Sequence, residues 1–201
     1  MWIGALAHGY NKAAVLTREL AKVLPELAGR VLRIYSDVLY KNRNYQGALD
    51  AASEGESLMA QGEKTPTIYT SKEYKALTLC VRAQSLAGLD RLAKAAGVIT
   101  EALKLYQEEL ASPKHGTVFN TFPWVVRQLL PSFTILGPSD ETLALTLQLV
   151  DMARALEAFV PGKFQIELQE VLEFHAKLST VGRDSESMAA AQEAASVPND
   201  S

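Results

Sequence analysis

The chain repeats itself. Leu32, Tyr35, Ser36, Leu39, Ala48 and Ala52 superpose on Leu79, Arg82, Ala83, Leu86, Ala95 and Ile99 at a constant offset of 47 residues, and Leu49, Glu54 and Leu58 fall opposite Ala96, Glu101 and Leu105 at the same offset. A recurring period restricts the fold more than any local propensity, because each copy must form the same unit and bury its apolar face against a neighbour. A third copy can be laid over Leu129, Phe133, Leu136, Leu145 and Leu149, and a fourth over Val171, Phe174, Leu178, Ser187 and Ala191, at further offsets of 50 and 42. Tyr10, Ala13 and Pro25 keep the second-helix spacing of a partial copy at the start.

Within each copy the apolar residues recur at three and four, which is helical periodicity, and no segment alternates as a strand would. Glycine and proline cluster at Gly62 to Pro66, Pro113 to Gly116, Gly137 to Pro138 and Pro161 to Gly162, leaving segments long enough for helical hairpins between them. Ser36 and Ala48 stand twelve residues apart, as do Ala83 and Ala95. Small residues at that spacing let two antiparallel helices approach closely, while Leu32 and Leu39, or Leu79 and Leu86, interlock with the next hairpin. The expectation is an all-α, right-handed antiparallel helix-hairpin solenoid of about four repeats plus a partial N-terminal one. Its single domain, 1–201, has approximate repeats 1–25 (partial), 26–60, 71–111, 121–158 and 164–198. Thr70 with Glu73 reads as a capping box, Ser139 or Asp140 as the cap of the following second helix, and Asp184 as the cap of the last helix. Gln61 to Thr70 and Ser112 to Asn120 read as the two long connections.

This order of small residue, twelve residues, small residue, apolar residue four later and closing proline resembles the tetratricopeptide repeat, whose pattern is W-x2-L-G-x2-Y, A-x3-F, P at a period of about 34 residues. Leu27 to Leu58 and Phe164 to Val197 are more similar to the longer repeats of kinesin-light-chain-like arrays, which occur also in fungal multidomain proteins. The chain departs from the pattern in its later copies. Phe133 with Leu145, and His175 with Ser187, occupy the small-pair positions; a shift of one recovers Ser132 and Ala144 but loses the apolar positions. Pro131 falls inside the third first-helix and predicts a kink or a split there. The chain also opens inside a repeat and closes on a second helix without a polar cap, so it reads as a fragment or as ends that pack on something else.

Composition narrows the function classes. The 201 residues carry 20 basic and 23 acidic side chains, 48% hydrophobic residues and one cysteine, Cys80. The longest stretches without a charged residue, His115 to Val126 and Gln128 to Ser139, fall short of the ~20 residues of a membrane-spanning helix. Residues 1–10 lack the basic region and apolar length of a secretory signal. A single cysteine excludes an internal disulfide and fits a reducing compartment, so a cytoplasmic location is expected. Residues 1–100 carry net +4 and residues 101–201 net −7, with Lys12, Arg18, Lys22, Arg30, Arg33, Lys41 and Arg43 concentrating the positive charge. That footprint is too slight for nucleic acid in a net-acidic chain; an acidic partner segment or a head-to-tail self-contact fits it better.

Residues that could carry chemistry are scattered. His8, His115 and His175 lie too far apart to share a helical face. Cys80 has no sequence-adjacent base to make it a nucleophile. Glu167, Glu170 and Glu173 lack the Glu-x-x-His partner of a carboxylate metal site, position 176 being Ala, and read as a solvated face. No phosphate-binding loop or G-x-S-x-G elbow is present. The expectation is therefore no enzyme, no cofactor and no metal.

Site residues follow from the resemblance alone. In tetratricopeptide arrays the first helices line a concave groove, which implies groove positions Arg30, Arg33, Asp37 and Tyr40 around Ser36, and Leu77, Cys80, Gln84 and Ala87 around Ala83. Asp37 replaces the asparagine that the chaperone-binding subfamily uses to clamp a terminal carboxylate, so that activity is not implied. The implied function is a protein-interaction scaffold holding a protein or peptide, an acidic one among the candidates, with neither nucleic acid nor membrane as partner. The alternatives are a regulatory or sensor segment of a larger signalling NTPase or transcription regulator, and an all-α enzyme or lipid-binding bundle.

Overall fold

The computed structural model describes residue 12 and residues 15–62, 72–111 and 118–196. Every regular element among them is helical. After a short helical stretch over residues 15–20 come α1 (Pro25–Lys41), α2 (Tyr45–Gly62), α3 (Lys72–Gly88), α4 (Leu92–Leu110), α5 (Val118–Leu136), α6 (Asp140–Phe159) and α7 (Gln165–Ser196). By its contacts the chain divides into two compact units, Met1–Ile135 and Leu136–Ser201.

In the first unit the 47-residue period reappears as geometry. α1 and α3 begin and end 47 residues apart, and α2 and α4 begin 47 apart. The turns closing the two hairpins are equivalent bond for bond. Arg43 and Asp90 adopt left-handed backbone conformations, φ 60° and 58°. Asn44 N–H donates to the Leu39 carbonyl and Arg43 N–H to that of Tyr40; Arg91 donates to Leu86 and Asp90 to Ala87 in the same way. This is the Schellman arrangement, which satisfies the last carbonyls of a helix and reverses the chain. Non-glycine residues take its left-handed position at a cost.

Packing explains the crossings. Ser36, Ala48, Ala83 and Ala95 are all fully buried, and the Ser36 hydroxyl donates to the Ala48 carbonyl at 2.6 Å, tying α1 to α2. A closer approach lies one end along: a Cβ on Gly29 would stand 2.6 Å from the Gly55 carbonyl oxygen, and a Cβ on Gly55 2.8 Å from that of Gly29. The α1–α2 crossing is thus built on two facing glycines as well as on the serine–alanine pair. α1 packs on α2 and α3, α2 on α3, and α3 on α4. Ion pairs reinforce neighbours, Arg18 with Glu54 at 2.6 Å, Arg82 with Glu56 at 2.8 Å and Lys72 with Glu108 at 2.6 Å. α5 joins through Tyr106 of α4, which hydrogen-bonds Thr121 and lies 6.2 Å from the Phe122 ring.

α3 is the centre of this unit. From Ala76 to Ala87 every residue except Arg82 is buried.

In the second unit Ser139 caps α6, its hydroxyl oxygen accepting from Thr142 N–H at 3.2 Å. Glu157, near the far end of α6, accepts from Gly162 and Phe164 N–H groups and so shapes the turn into α7. Phe164, just before α7, and Val171 and Leu178 within it, spaced by whole heptads, are buried; among the described side chains of α7 these last two are its buried positions.

Two expectations change. The fourth hairpin does not form: α7 runs unbroken for 32 residues, with Asp184, Ser187 and Ala191 inside it. Only Gly182 interrupts good helix formers there, and one glycine costs a helix about 1 kcal/mol, too little to end it without a turn partner. α5 is continuous through Pro123 and Pro131; Pro131 and Arg127 are exposed, so the carbonyl that loses its partner faces solvent. Of the third copy's positions, Ser132, Phe133 and Leu145 are buried and Ala144 is exposed. Thr70 of the proposed capping box lies outside the described residues, as do His8 and His115.

Candidate functional site

The residues expected to line a groove lie on α1 and α3, and the structure treats them unequally. Arg30 and Tyr40 sit at the rim. The Arg30 guanidinium stacks 4.2 Å from the Tyr74 ring centroid and donates to the Tyr74 hydroxyl at 3.0 Å, bridging α1 to α3. Tyr40 leans on Tyr45, ring centroids 5.4 Å apart, and burial, with Tyr45 adding, lifts its phenol above the ordinary value.

Cys80 and Gln84 do not line an open groove. Cys80 is fully buried and Gln84 is 3% exposed. The reason is the enclosure of α3: a first helix in an open array keeps its inner face wet, and this one does not. Burial pushes the Cys80 thiol up to about 12, against the opposing pull of Arg33, so it is a protonated, chemically quiet group at neutral pH.

Around them lies a polar seam. Arg33 is mostly buried, and desolvation lowers its guanidinium below the ordinary value while Asp37 works the other way. Asp37, one turn on, accepts from Lys41 Nζ at 2.7 Å and from Gln128 Nε2 at 3.1 Å. That second bond spans 91 residues and brings α5 to α1. Gln84 follows Cys80 by one turn as Asp37 follows Arg33, at the same 47-residue offset. Asp37 of α1 thus meets Gln128 of α5, which is 6% exposed, and Arg33 acts on both Asp37 and the Cys80 thiol of α3.

Its hydrogen bonding is incomplete. The buried hydroxyls nearby are served by their own helices: Thr78 donates to the Tyr74 carbonyl, Ser85 to Val81 and Ser132 to Gln128. Arg33 Nε, Gln84 Oε1 and Gln128 Oε1 are buried without a partner. Arg82 Nε is buried in the same way; leaving such an atom unmet costs about 1–3 kcal/mol.

Gln128 was not among the expected residues. Its signal in the sequence is a lone amide in the apolar run Trp124–Leu130, four residues before the buried Ser132. A concavity of about 350 Å³ opens elsewhere in the unit between Val15, Tyr35, Leu39, Asn44 and Asp50. Its polar groups are used internally, Asn44 accepting from Gly47 N–H and Asp50 from Gln46.

In the second unit His175 Nδ1 lies 2.7 Å from the Thr146 hydroxyl. Glu170 and Glu173 are exposed, the latter accepting from Gln169 at 2.8 Å. Among the described residues no three His, Cys, Asp or Glu side chains gather as a metal site would require, and no helix is long and apolar enough to cross a membrane. Compared with protein-family models, curated proteins and solved structures, the chain finds no match.

Proposed function

We propose that the chain is a non-enzymatic protein-interaction module of tetratricopeptide-like, right-handed stacked hairpins, and that it receives an extended peptide segment along the inner edges of α1, α3 and α5. The equivalence of the two hairpins and their turns at a 47-residue offset supports the repeat architecture. So does the packing of the first hairpin, in which α1 touches both its partner α2 and the next first helix, α3. The observation that carries the binding role is the polar seam with three unpartnered atoms, Arg33 Nε, Gln84 Oε1 and Gln128 Oε1. Polar groups that weaken a core and serve nothing inside it are the mark of a surface kept for something else. The rim residues Arg30, Arg33, Asp37 and Tyr40 keep their place in this reading, with Cys80 and Gln84 as its floor.

The test is selection of binders from a displayed peptide library on the wild-type chain and on a Gln84→Leu, Gln128→Leu double variant. Replacing the two amides by apolar groups of similar size should leave the fold intact and raise its stability, while abolishing capture of peptides selected on the wild type. A library that yields no specific binder, or binders held equally by the double variant, refutes the proposal.

A further inference from the structure

We infer that the outer face of α1 receives a second copy of this chain, which docks there by the α7 edge of its second unit. The 47-residue equivalence identifies the face. On α3, Tyr74, Thr78, Val81, Ser85 and Gly88 recur at four, three, four and three and form one stripe. Both ends of that stripe touch the preceding hairpin: Tyr74 holds Arg30 of α1, and a Cβ on Gly88 would stand 2.8 Å from the Tyr45 ring of α2. Between them Thr78, Val81 and Ser85 are fully buried. Moved back by 47 residues, the stripe becomes Leu27, Val31, Ile34, Val38 and Lys41 of α1. There the cover is missing. Leu27 is 45% exposed and Ile34 48%, with Val31 and Val38 half-buried between and beside them. The helical stretch over residues 15–20 lies by Tyr35, Leu39 and Glu54 and leaves this stripe open. Arg30 leaves α1 on another side, toward α3.

A face equivalent to a buried stacking face fits the edge of another helix. Charge selects which helix. The first unit holds 16 basic and 12 acidic residues, the second 4 and 11, and Lys22, Lys41 and Arg43 stand exposed about the ends of the α1 stripe. An antiparallel pairing of α1 with α1 of a second copy would set Lys22 against Arg43. The second unit offers the opposite sign. On α7, Leu168, Leu172, Ala176 and Ser179 recur at four, four and three beside the buried Val171 and Leu178. Leu172 is 36% exposed, Ala176 is exposed, and Leu168 and Ser179 are half-buried. Exposed Glu170 and Glu173 border this edge. One face is thus apolar with basic ends and the other apolar with an acidic border, which steers the two together in one orientation. Because the faces differ, the contact is head-to-tail, and it closes into a ring or continues as a filament according to the rotation it imposes.

The experiment is sedimentation velocity on the full chain over a wide range of concentration, beside two variants changed at exposed positions. One carries Leu27→Glu with Ile34→Glu on α1, the other Leu172→Glu with Ala176→Glu on α7. Thermal melting shows each to be folded; where a double change lowers the melt, the single changes Ile34→Glu and Ala176→Glu replace it. The wild type should associate as its concentration rises, and less so at high salt. Each variant should associate at least about tenfold more weakly, because a carboxylate must then be desolvated against an apolar row. Mixed in equal amounts, the two variants should recover a heterodimer, since each keeps the face that the other has lost. A wild type that stays monomeric throughout overturns the proposal, and so does a mixture no more associated than its components. An α7 variant that associates like the wild type overturns the head-to-tail contact in favour of α1 on α1. An α1 variant that does so removes the stripe from the interface.

Discussion

Exchanging one hydrogen for a methyl group at Gly29 tests the close crossing of α1 and α2. An alanine Cβ there would lie 2.6 Å from the Gly55 carbonyl oxygen and 2.7 Å from Met59 Cγ. The methionine side chain can turn away, but the carbonyl is α2 backbone and cannot. A carbon and a carbonyl oxygen settle no nearer than about 3.3 Å, so the two helices must part locally by roughly 0.7 Å, enough to forfeit a quarter to a half of the dispersion energy of the atoms that separate. Overpacking of this kind costs about 1–3 kcal/mol, against which alanine returns up to about 1 kcal/mol of helix propensity. The net expectation for Gly29→Ala is a loss of about 1–2 kcal/mol. Gly97 supplies the control, since it also lies within a helix but a Cβ there meets nothing within 4 Å. Gly97→Ala should stabilise by about 1 kcal/mol. Urea unfolding of both variants beside the wild type, followed by far-ultraviolet circular dichroism, reads the difference directly, and thermal melting should show it as about 2–4 °C per kcal/mol. Equal stability of the two variants would refute the close crossing of α1 and α2.

Three further outcomes are expected. Asp90→Gly should stabilise by about 1 kcal/mol, because glycine takes the left-handed conformation at φ 58° without the Cβ penalty; a loss in chemical unfolding would contradict the turn geometry. Ala95→Leu, at a fully buried crossing, should cost about 1–3 kcal/mol, and an unchanged urea midpoint would reject the crossing register. Folding holds the Cys80 thiol protonated, its pKa pushed up to about 12 from 9.0. Its contribution is therefore complete below pH 9 and lost as pH rises toward 12. The wild-type urea midpoint should fall more steeply than that of Cys80→Ala above pH 9, and parallel profiles would remove Cys80 from the core.

The first two hairpins were legible in the sequence because they repeat in register. Every position from Leu32 to Leu58 had a second copy to be read against, and the small pairs Ser36–Ala48 and Ala83–Ala95 both proved buried. Legibility faded where the chain stopped repeating faithfully. Asp184 looks like a helix cap, but a cap residue starts a helix only when the preceding backbone leaves one, and nothing between Gln165 and Ser196 is a strong breaker. The split expected at Pro131 does not occur, because the cost of a proline depends on whether the orphaned carbonyl is wet, and that is set by tertiary position. The Gly29–Gly55 contact escaped notice because glycine inside a helix reads as weakness until its facing partner is known. Gln128 was invisible for a related reason: only the folding of α5 toward α1 makes its amide part of a seam with Asp37.

The enclosure of α3 sets an order of opening for the first unit. A helix with neighbours on every side releases its backbone amides to exchange with solvent only when the surrounding helices come away together, so α3 should be the slowest-exchanging segment of that unit, and the rim of α1 should exchange first. Under the peptide-binding reading proposed above, a guest entering at the α1 edge would work against the loosest part of the unit and one reaching Cys80 against the firmest, so that residence time would report how deep the guest has gone.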